Sequence, residues 1–353
     1  MKIECIAIRA RDDFDQLYDK WEKAERGIDM TVFQSFDWNR LLFDEWNHSK
    51  YNKAFSKIEV YVIENSRHVM IVPTLIQMHR TKLKLELGRE RGAYILGQGS
   101  YSDYLNVICD VFLAESFQLY VETVKNKYRG IKLFFNNIRE DSMLHKFLNE
   151  EYEHVASMVA VSIKVPQSKE EFKGLLSKHT RQNLRTAFNR MNKDHMEYEW
   201  KETGIIQNHE LRHKMMVIHR KRMVEKNRSN RDIIHRVGAF LRTRLICYQE
   251  TNNNIVQASM ATMKNSVAVL VSLKGNVVGY IYGLKDKNGT IRVLQNSIDE
   301  NYKFYSPMFR GIYDYIMENC ETGELKELDF TRGDEEYKYK LGGQETQLFN
   351  YII

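Results

Sequence analysis

Residues 276–298 read NVVGYIYGLKDKNGTIRVLQNSI. Two runs rich in β-branched and aromatic side chains flank Asn288-Gly289, a dipeptide that tolerates the positive φ angles of a tight hairpin. The spacing predicts strands over 276–284 and 290–298. A second turn at Lys274-Gly275 carries the pattern upstream, where the apolar run 255–273 reads as another strand. Downstream, 308–319 has helical periodicity, 325–330 reads as a strand, 335–340 as a short helix and 344–353 as a closing strand. Helices over 169–192, 210–226 and 233–250 and a strand over 196–201 precede the meander. A meander followed by helix, strand, helix and strand is a mixed α/β (α+β) layer pattern.

The N-terminal half has a looser version of the same pattern. Strands are expected at 1–10, 58–64, 68–77, 94–96, 104–109, 131–135 and 158–165. Helices are expected at 12–25, 37–46, 112–127 and 142–148, the second with Ser35 or Asp37 as N-cap. Pro166, one of only three prolines, follows a complete α/β set. The chain therefore divides into expected domains 1–165 and 166–353. No repeat is visible between the halves at the level of sequence.

The chain has 353 residues, 43% hydrophobic and 28% charged. These are globular values and exclude wholesale disorder, collagen and coiled coil. Its 4 cysteines (Cys5, Cys109, Cys247 and Cys320) are scattered, with no metal-ligand spacing, which favours a reducing compartment. The most apolar stretch, 266–284, is cut by Lys274-Gly275, so no transmembrane helix is expected. Residues 1–9 alternate like a strand and do not resemble a signal peptide. The expected location is the cytoplasm, free or peripheral to a membrane. The formal charge of +6 is uneven, because 178–244 holds 17 Lys/Arg against 7 Asp/Glu. That block suits an anionic partner or is simply the solvated side of helices. No P-loop, HExxH or GxSxG is present.

The segment Asp329-Phe330-Thr331-Arg332-Gly333-Asp334-Glu335-Glu336-Tyr337-Lys338 closely resembles the D-F-x-R-G-x-x-x-Y-K pattern of a GNAT-like family. That family includes the CelD-type cellulose-biosynthesis acetyltransferases and is related to the Fem-type transferases. Weaker landmarks follow the same order. Phe33 to Trp38 and Ser102-Asp103-Tyr104 resemble its N-terminal segments. Ser177 to Arg185 resembles its S-x-x-x-R-x-x-x-R helix, His219 to Arg222 an H-x-x-R segment, and Tyr305-Ser306-Pro307 its Y-S-P-G segment. Two departures stand out. Met308 replaces the glycine after Ser-Pro, and the common GNAT pyrophosphate loop is missing.

The resemblance implies two tandem GNAT-like domains, each a mainly antiparallel sheet flanked by helices, with catalysis in the second. It implies acyl transfer from acetyl-CoA or another acyl-CoA to an amine or hydroxyl of a sugar, sugar nucleotide or envelope precursor. Such a reaction needs donors at the carbonyl oxygen, a base and an oriented acceptor. Asp329, Arg332, Asp334 and His219 are the candidate catalytic residues. Lys303, Tyr305, Ser306, Arg310 and Lys338 are the candidates for the cofactor, the Ser306 helix offering the amides of Phe309 and Arg310 to phosphate. Asp103, Tyr104, Arg222 and Tyr337 are the candidates for the acceptor. Each has a plainer reading: Asp334 as an N-cap, Arg332 paired with Asp329, Lys338 paired with Asp334, His219 as a structural residue. The face formed by Lys178, Arg181 and Arg185 suits a phosphate of a cofactor, lipid-linked sugar or tRNA. Two alternatives stand beside the leading one. The first is a Fem-like transferase using aminoacyl-tRNA, motivated by the basic block and the missing loop. The second is a non-catalytic subunit of polysaccharide-synthesis machinery, motivated by Met308.

Overall fold

The computed structural model describes residues 1–78, 91–98, 102–229 and 248–353. The chain forms two compact units, Met1–Val159 with Thr346–Ile353, and Ala160–Glu345.

The first unit begins with β1 (Lys2–Ile8), α1 (Arg11–Asp15) and α2 (Tyr18–Ala24). The single helix expected over 12–25 is thus two, because the chain breaks at Gln16-Leu17. Then come α3 (Phe36–His48), α4 (Lys50–Phe55), β2 (Ser56–Glu64), β3 (Val69–Gln77), β4 (Gly92–Ile95) and β5 (Ile108–Cys109). Ser35 caps α3, its hydroxyl accepting from the Trp38 amide at 3.3 Å. Of the strand expected over 104–109 only Ile108–Cys109 forms; Tyr104 sits at φ 55°, which a regular strand excludes. The unit continues with α5 (Ala114–Lys127), β6 (Lys132–Arg139) and α6 (Met143–Glu151). Its core gathers Tyr61, Val72, Phe117, Phe135 and Leu144.

β7 (Ala156–Lys164) leads into the second unit, which contains α7 (Lys169–Leu175), α8 (Lys178–Lys193), β8 (Tyr198–Thr203) and α9 (His209–Ser229). The helix expected over 169–192 is two helices. Ser177 starts the second, its hydroxyl accepting from the Thr180 amide at 3.0 Å. The expected helix over 233–250 lies outside the described residues up to 247.

Next is α10 (Tyr248–Thr262), followed by β9 (Ser266–Leu273), β10 (Asn276–Lys285) and β11 (Thr290–Ile298). The strand expected over 255–273 is thus half helix. Ile255, Val256, Ser259, Met260 and Met263 are buried, spaced as one face of a helix. A 3₁₀ turn (Glu300–Tyr305), α11 (Pro307–Asn319), β12 (Glu327–Arg332), α12 (Glu336–Lys340) and β13 (Gln344–Ile352) complete the chain.

Each sheet is mainly antiparallel with one parallel pair. In the first unit the order is β1-β2-β3-β4-β6-β13, with β4 and β6 parallel. In the second it is β7-β12-β11-β10-β9-β8, with β11 and β12 parallel. Val269, Val271, Ile281, Ile312, Ile316 and Leu328 form the heart of the second core, between sheet and helices. Among the described residues no helix is long and apolar enough to cross a membrane.

Candidate active site

The parallel pairing of β11 with β12 is short. It covers Thr290↔Glu327, Ile291↔Leu328 and Arg292↔Asp329, although β11 runs on to Ile298 and β12 to Arg332. Both strands carry an irregularity just past the last pair. On β11, Gln295 faces Tyr282 and Val293 faces Gly283, so Leu294 is an inserted residue. On β12 the register against β7 shifts between Asp329↔Ser162 and Arg332↔Ala160. There Thr331 takes φ 54°. Its amide donates to Asp329 Oδ1 at 2.7 Å and its hydroxyl to the Val293 carbonyl at 3.2 Å. Bulges of this kind bend strands and redirect backbone groups.

A buried ion cluster sits at the last pair. Arg292 donates from Nε to Asp286 Oδ2 at 2.7 Å and from Nη1 to Asp329 Oδ2. It ties the β10–β11 turn, β11 and β12 together at the point where the strands part.

A cavity of about 160 Å³ opens beyond that point, walled by Val293 to Asn296, Phe330 to Arg332, the α9 residues His219, Arg222 and Met223, and Glu335, Tyr337 and Lys338. His219 Nδ1 lies 2.9 Å from Ser297 Oγ. Burial, reinforced by the Arg222 charge, depresses the imidazole to about 4, so it is neutral near pH 7. Arg222, one turn along α9, donates to the Asn296 carbonyl. Asn296 Nδ2 in turn donates to the Tyr337 hydroxyl at 2.9 Å. Burial pushes that phenol well above its usual range, so it stays protonated. The accepted bond uses the oxygen and leaves its proton to donate.

Lys338 lines the cavity wall and points inward. It is 2% exposed, and its ammonium donates to the carbonyls of Phe330, Arg332 and Gly333 at 3.4, 3.2 and 2.8 Å. It pairs with Glu335 at 2.9 Å, not with Asp334. Gly333 has φ 109°, a conformation an L side chain rarely takes. The loop after β12 is thus wrapped around a buried cation.

The structure therefore brings His219, Arg222, Arg332, Tyr337 and Lys338 together around one cavity. Asp329 lies beneath it, held by Arg292 and the Thr331 amide. Asp334 is exposed on the turn, and Glu335, not Asp334, occupies the N-cap of α12. The four residues assigned to the cofactor at the 3₁₀ turn and α11 have other surroundings. Lys303 pairs with Glu300 at 3.5 Å. Tyr305 donates to Asp194 at 2.8 Å. Arg310 pairs with Asp314 at 2.7 Å and stacks on Phe188. The Arg310 amide bonds to the Ser306 carbonyl at 3.2 Å, so it is not open to an anion as the sequence suggested. Ser306 starts α11 with φ 47° and its side chain makes no cap bond. Met308 is buried, and a Cβ on Gly279 would come within 2.4 Å of its sulfur, so Gly279 makes room for it.

Asp103 and Tyr104 are buried in the first unit, where the Tyr104 carbonyl accepts from Gln34 Nε2 at 2.8 Å and Arg139 stacks on its ring. In α8, Lys178 and Arg185 are exposed, while Arg181 caps α7 by donating to the Lys173 and Leu176 carbonyls at 3.0 and 2.7 Å. Sequence reasoning missed Arg292, Asp286, Asn296 and Ser297. An arginine inside the apolar run Ile291-Arg292-Val293-Leu294 was the available signal, since a charge in a central strand needs a buried partner.

No curated protein sequence matches the chain. In solved structures the chain is similar to FemX, with a TM-score of 0.57, 10% identity and coverage of 100% of this chain and 98% of that one. It is also similar to a conserved protein of unknown function from Bacteroides thetaiotaomicron VPI-5482, with a TM-score of 0.53, 10% identity and coverage of 98% and 97%. At this identity the likeness concerns the fold. Residues 248–339, which hold the splayed strands and the motif around Lys338, match the acetyltransferase (GNAT) domain family. The second unit carries a GNAT-type acyltransferase domain.

Proposed function

We propose that the protein transfers an acyl group from a CoA thioester to an amine, or secondarily a hydroxyl, of a small or sugar-type acceptor. The reaction takes place in the cavity where β11 and β12 part. The observation that carries this reading is the cavity itself, which sets a neutral imidazole and a protonated phenol around bulged backbone. The acceptor nitrogen attacks the thioester carbonyl carbon, and negative charge builds on the carbonyl oxygen. Backbone N–H groups beside the bulge at Leu294 are the donors this reading assigns to that oxygen. His219, through the nitrogen not engaged by Ser297, takes the proton released as the C–N bond forms. A neutral imidazole of low basicity is adequate there, because the attacking nitrogen becomes acidic once bonded. The C–S bond then breaks, and the Tyr337 hydroxyl protonates the departing thiolate. Asp329 and Lys338 act on the strand and the loop, not on the reactants.

Acetyl-CoA turnover by the full chain, followed by thiol release over a panel of amine acceptors, tests this. His219→Ala is expected to lower kcat by about 10²- to 10⁴-fold, the usual contribution of a positioned base, and Tyr337→Phe to slow thiol release. Unchanged kcat in both folded variants would refute the base and acid roles of these two side chains.

A second reading keeps the chemistry and changes the donor to aminoacyl-tRNA. Its support is α8, which carries Lys178, Arg181, Arg185, Arg190 and Lys193 without one Asp or Glu, together with the missing pyrophosphate loop and the relation of the CelD-type family to the Fem-type transferases. Salt-sensitive binding of charged tRNA without affinity for CoA would select it. A sugar, envelope or polysaccharide precursor as acceptor rests on the CelD-type resemblance alone.

A further inference from the structure

A second cluster of reactive side chains lies within the first unit. β1 is the edge strand of that sheet, and its Cys5 stands opposite Tyr61 of β2. The centre of the cluster is Glu59 on β2, which is 1% exposed. Its carboxylate accepts from the Tyr61 hydroxyl at 2.7 Å, from the Tyr128 hydroxyl, from Lys57 at 3.0 Å and from Lys127 at 3.2 Å. These two phenols and two ammonium groups fill the roughly four lone-pair sites of a carboxylate. The Cys5 thiol is a further and more distant donor, 3.6 Å from Oε2, so Glu59 is satisfied without it. The same thiol lies 3.2 Å from the Lys127 ammonium at the end of α5. Cys5 is half-buried, the Lys127 side chain is 41% exposed, and their contact faces solvent. A nucleophilic sulfur and a nucleophilic nitrogen thus sit in contact on two different elements.

We propose that Cys5 and Lys127 form a self-acylation relay, in which a small acyl thioester acylates the Cys5 sulfur and the acyl group then moves to the Lys127 nitrogen. The Cys5 thiol first releases its proton to water, and the neighbouring ammonium favours the thiolate. The sulfur attacks the thioester carbonyl carbon. The donor's C–S bond breaks, and the departing thiolate takes a proton from water. Lys127 then releases a proton to water, and its nitrogen attacks the same carbon. The C–S bond to Cys5 breaks, the nitrogen sheds its second proton and the sulfur regains one. In sum, a thioester and an ammonium become an amide, a free thiol and one proton. Burial raises the Cys5 thiol above its ordinary range, with the bond from Lys127 acting the other way. At Lys127 burial works downward, but the bonds to Cys5 and Glu59 outweigh it and raise the ammonium. Both atoms are therefore mostly protonated near pH 7, which slows the relay without preventing it. Each factor of ten lost in reactive form is small against the effective molarities of about 10⁵–10⁸ M that well-oriented groups in contact reach. The outcome is a slow, single modification of the chain, not turnover.

The test is mass spectrometry of the full chain incubated with acetyl-CoA and, separately, with S-acetyl-N-acetylcysteamine, a thioester without a nucleotide. Both are expected to place an acetyl group on Lys127 as a hydroxylamine-stable amide. Cys5→Ser should slow that labelling by at least about tenfold. Lys127→Arg, which keeps a cation beside Glu59, should instead collect a hydroxylamine-labile acetyl group on Cys5. His219→Ala should label like the parent chain, because the relay uses no residue of the second unit. An unlabelled Lys127, equal labelling in Cys5→Ser, or no acetyl group on Cys5 in Lys127→Arg would overturn the proposal. So would labelling lost in His219→Ala, which would make Lys127 a substrate of the cavity. Labelled Lys127 in a protein that turns over no amine acceptor would leave the relay standing and sink the acyl-CoA reading instead.

Discussion

Replacing Arg292 by Met is the most informative perturbation of the scaffold. The side chains of Arg292, Asp286 and Asp329 are 7%, 4% and 3% exposed. Methionine fills much of the arginine volume, so the change is mainly electrostatic. It leaves two carboxylates in a site that water does not reach. Stranding one partner of a buried ion pair costs about 3–5 kcal/mol, a large share of the roughly 5–15 kcal/mol that stabilises a typical domain. Urea unfolding of the full chain would show this as a lower midpoint for the transition of the second unit. Trp200, the one tryptophan among residues 160–345, reports on that unit. A triple variant, Arg292→Met with Asp286→Leu and Asp329→Leu, should recover most of the loss, because no charge is left behind. If the single variant lost less than about 1 kcal/mol, the level of an exposed pair, or if the triple variant were no more stable than the single one, the electrostatic account would be wrong.

Three further outcomes are expected. His219 is held at about 4 against an ordinary 6.5, so between those values the unfolded chain binds a proton that the folded chain refuses. Stability should therefore fall by about 3 kcal/mol as pH drops from 6.5 to 4, and His219→Gln should lack that component in denaturation curves taken across the window. Lys338→Met removes the donor shared by three carbonyls; a loss of about 1–3 kcal/mol with faster proteolysis at the β12–α12 loop is expected, and a neutral effect would refute the clamp. In the first unit, a Cβ on Gly27 would lie 2.0 Å from the Cys109 carbonyl oxygen, so Gly27→Ala should cost about 1–3 kcal/mol, read as a lowered unfolding midpoint.

The local elements of the second unit were legible because their signals are local. The Asn288-Gly289 turn, the proline opening α11 and the alternation along β12 all act within a few residues. The helix at Tyr248–Thr262 was missed for a physical reason: its buried face, Ile255 to Met263, runs straight into the apolar β9, and small residues such as Ala258 and Ala261 blur the helical period. The ion cluster was illegible because Arg292 and Asp329 are 37 positions apart, and their meeting depends on one parallel strand pairing that no turn specifies. The closing strands are similar. β13, from the end of the chain, pairs with β6, and β7, from its middle, pairs with β12. Long-range pairing of this kind is decided by the assembled core, not by any local run.

The segment that carried the family resemblance has an uneven division of labour. Within Asp329 to Lys338, the residues with the strongest chemistry on paper are spent on shape. Asp329 is consumed by Arg292 and the Thr331 amide. Lys338 is consumed by the carbonyls of the loop it anchors. Gly333 supplies a backbone angle. What this machinery holds in place is Arg332 at one edge of the cavity and Tyr337 opposite His219's helix, with Asn296 bridging from β11. A motif built this way is specific because a buried cation and a buried carboxylate each tolerate few replacements. Its specificity therefore reports the loop geometry first, and the reaction only through the two side chains that the loop presents.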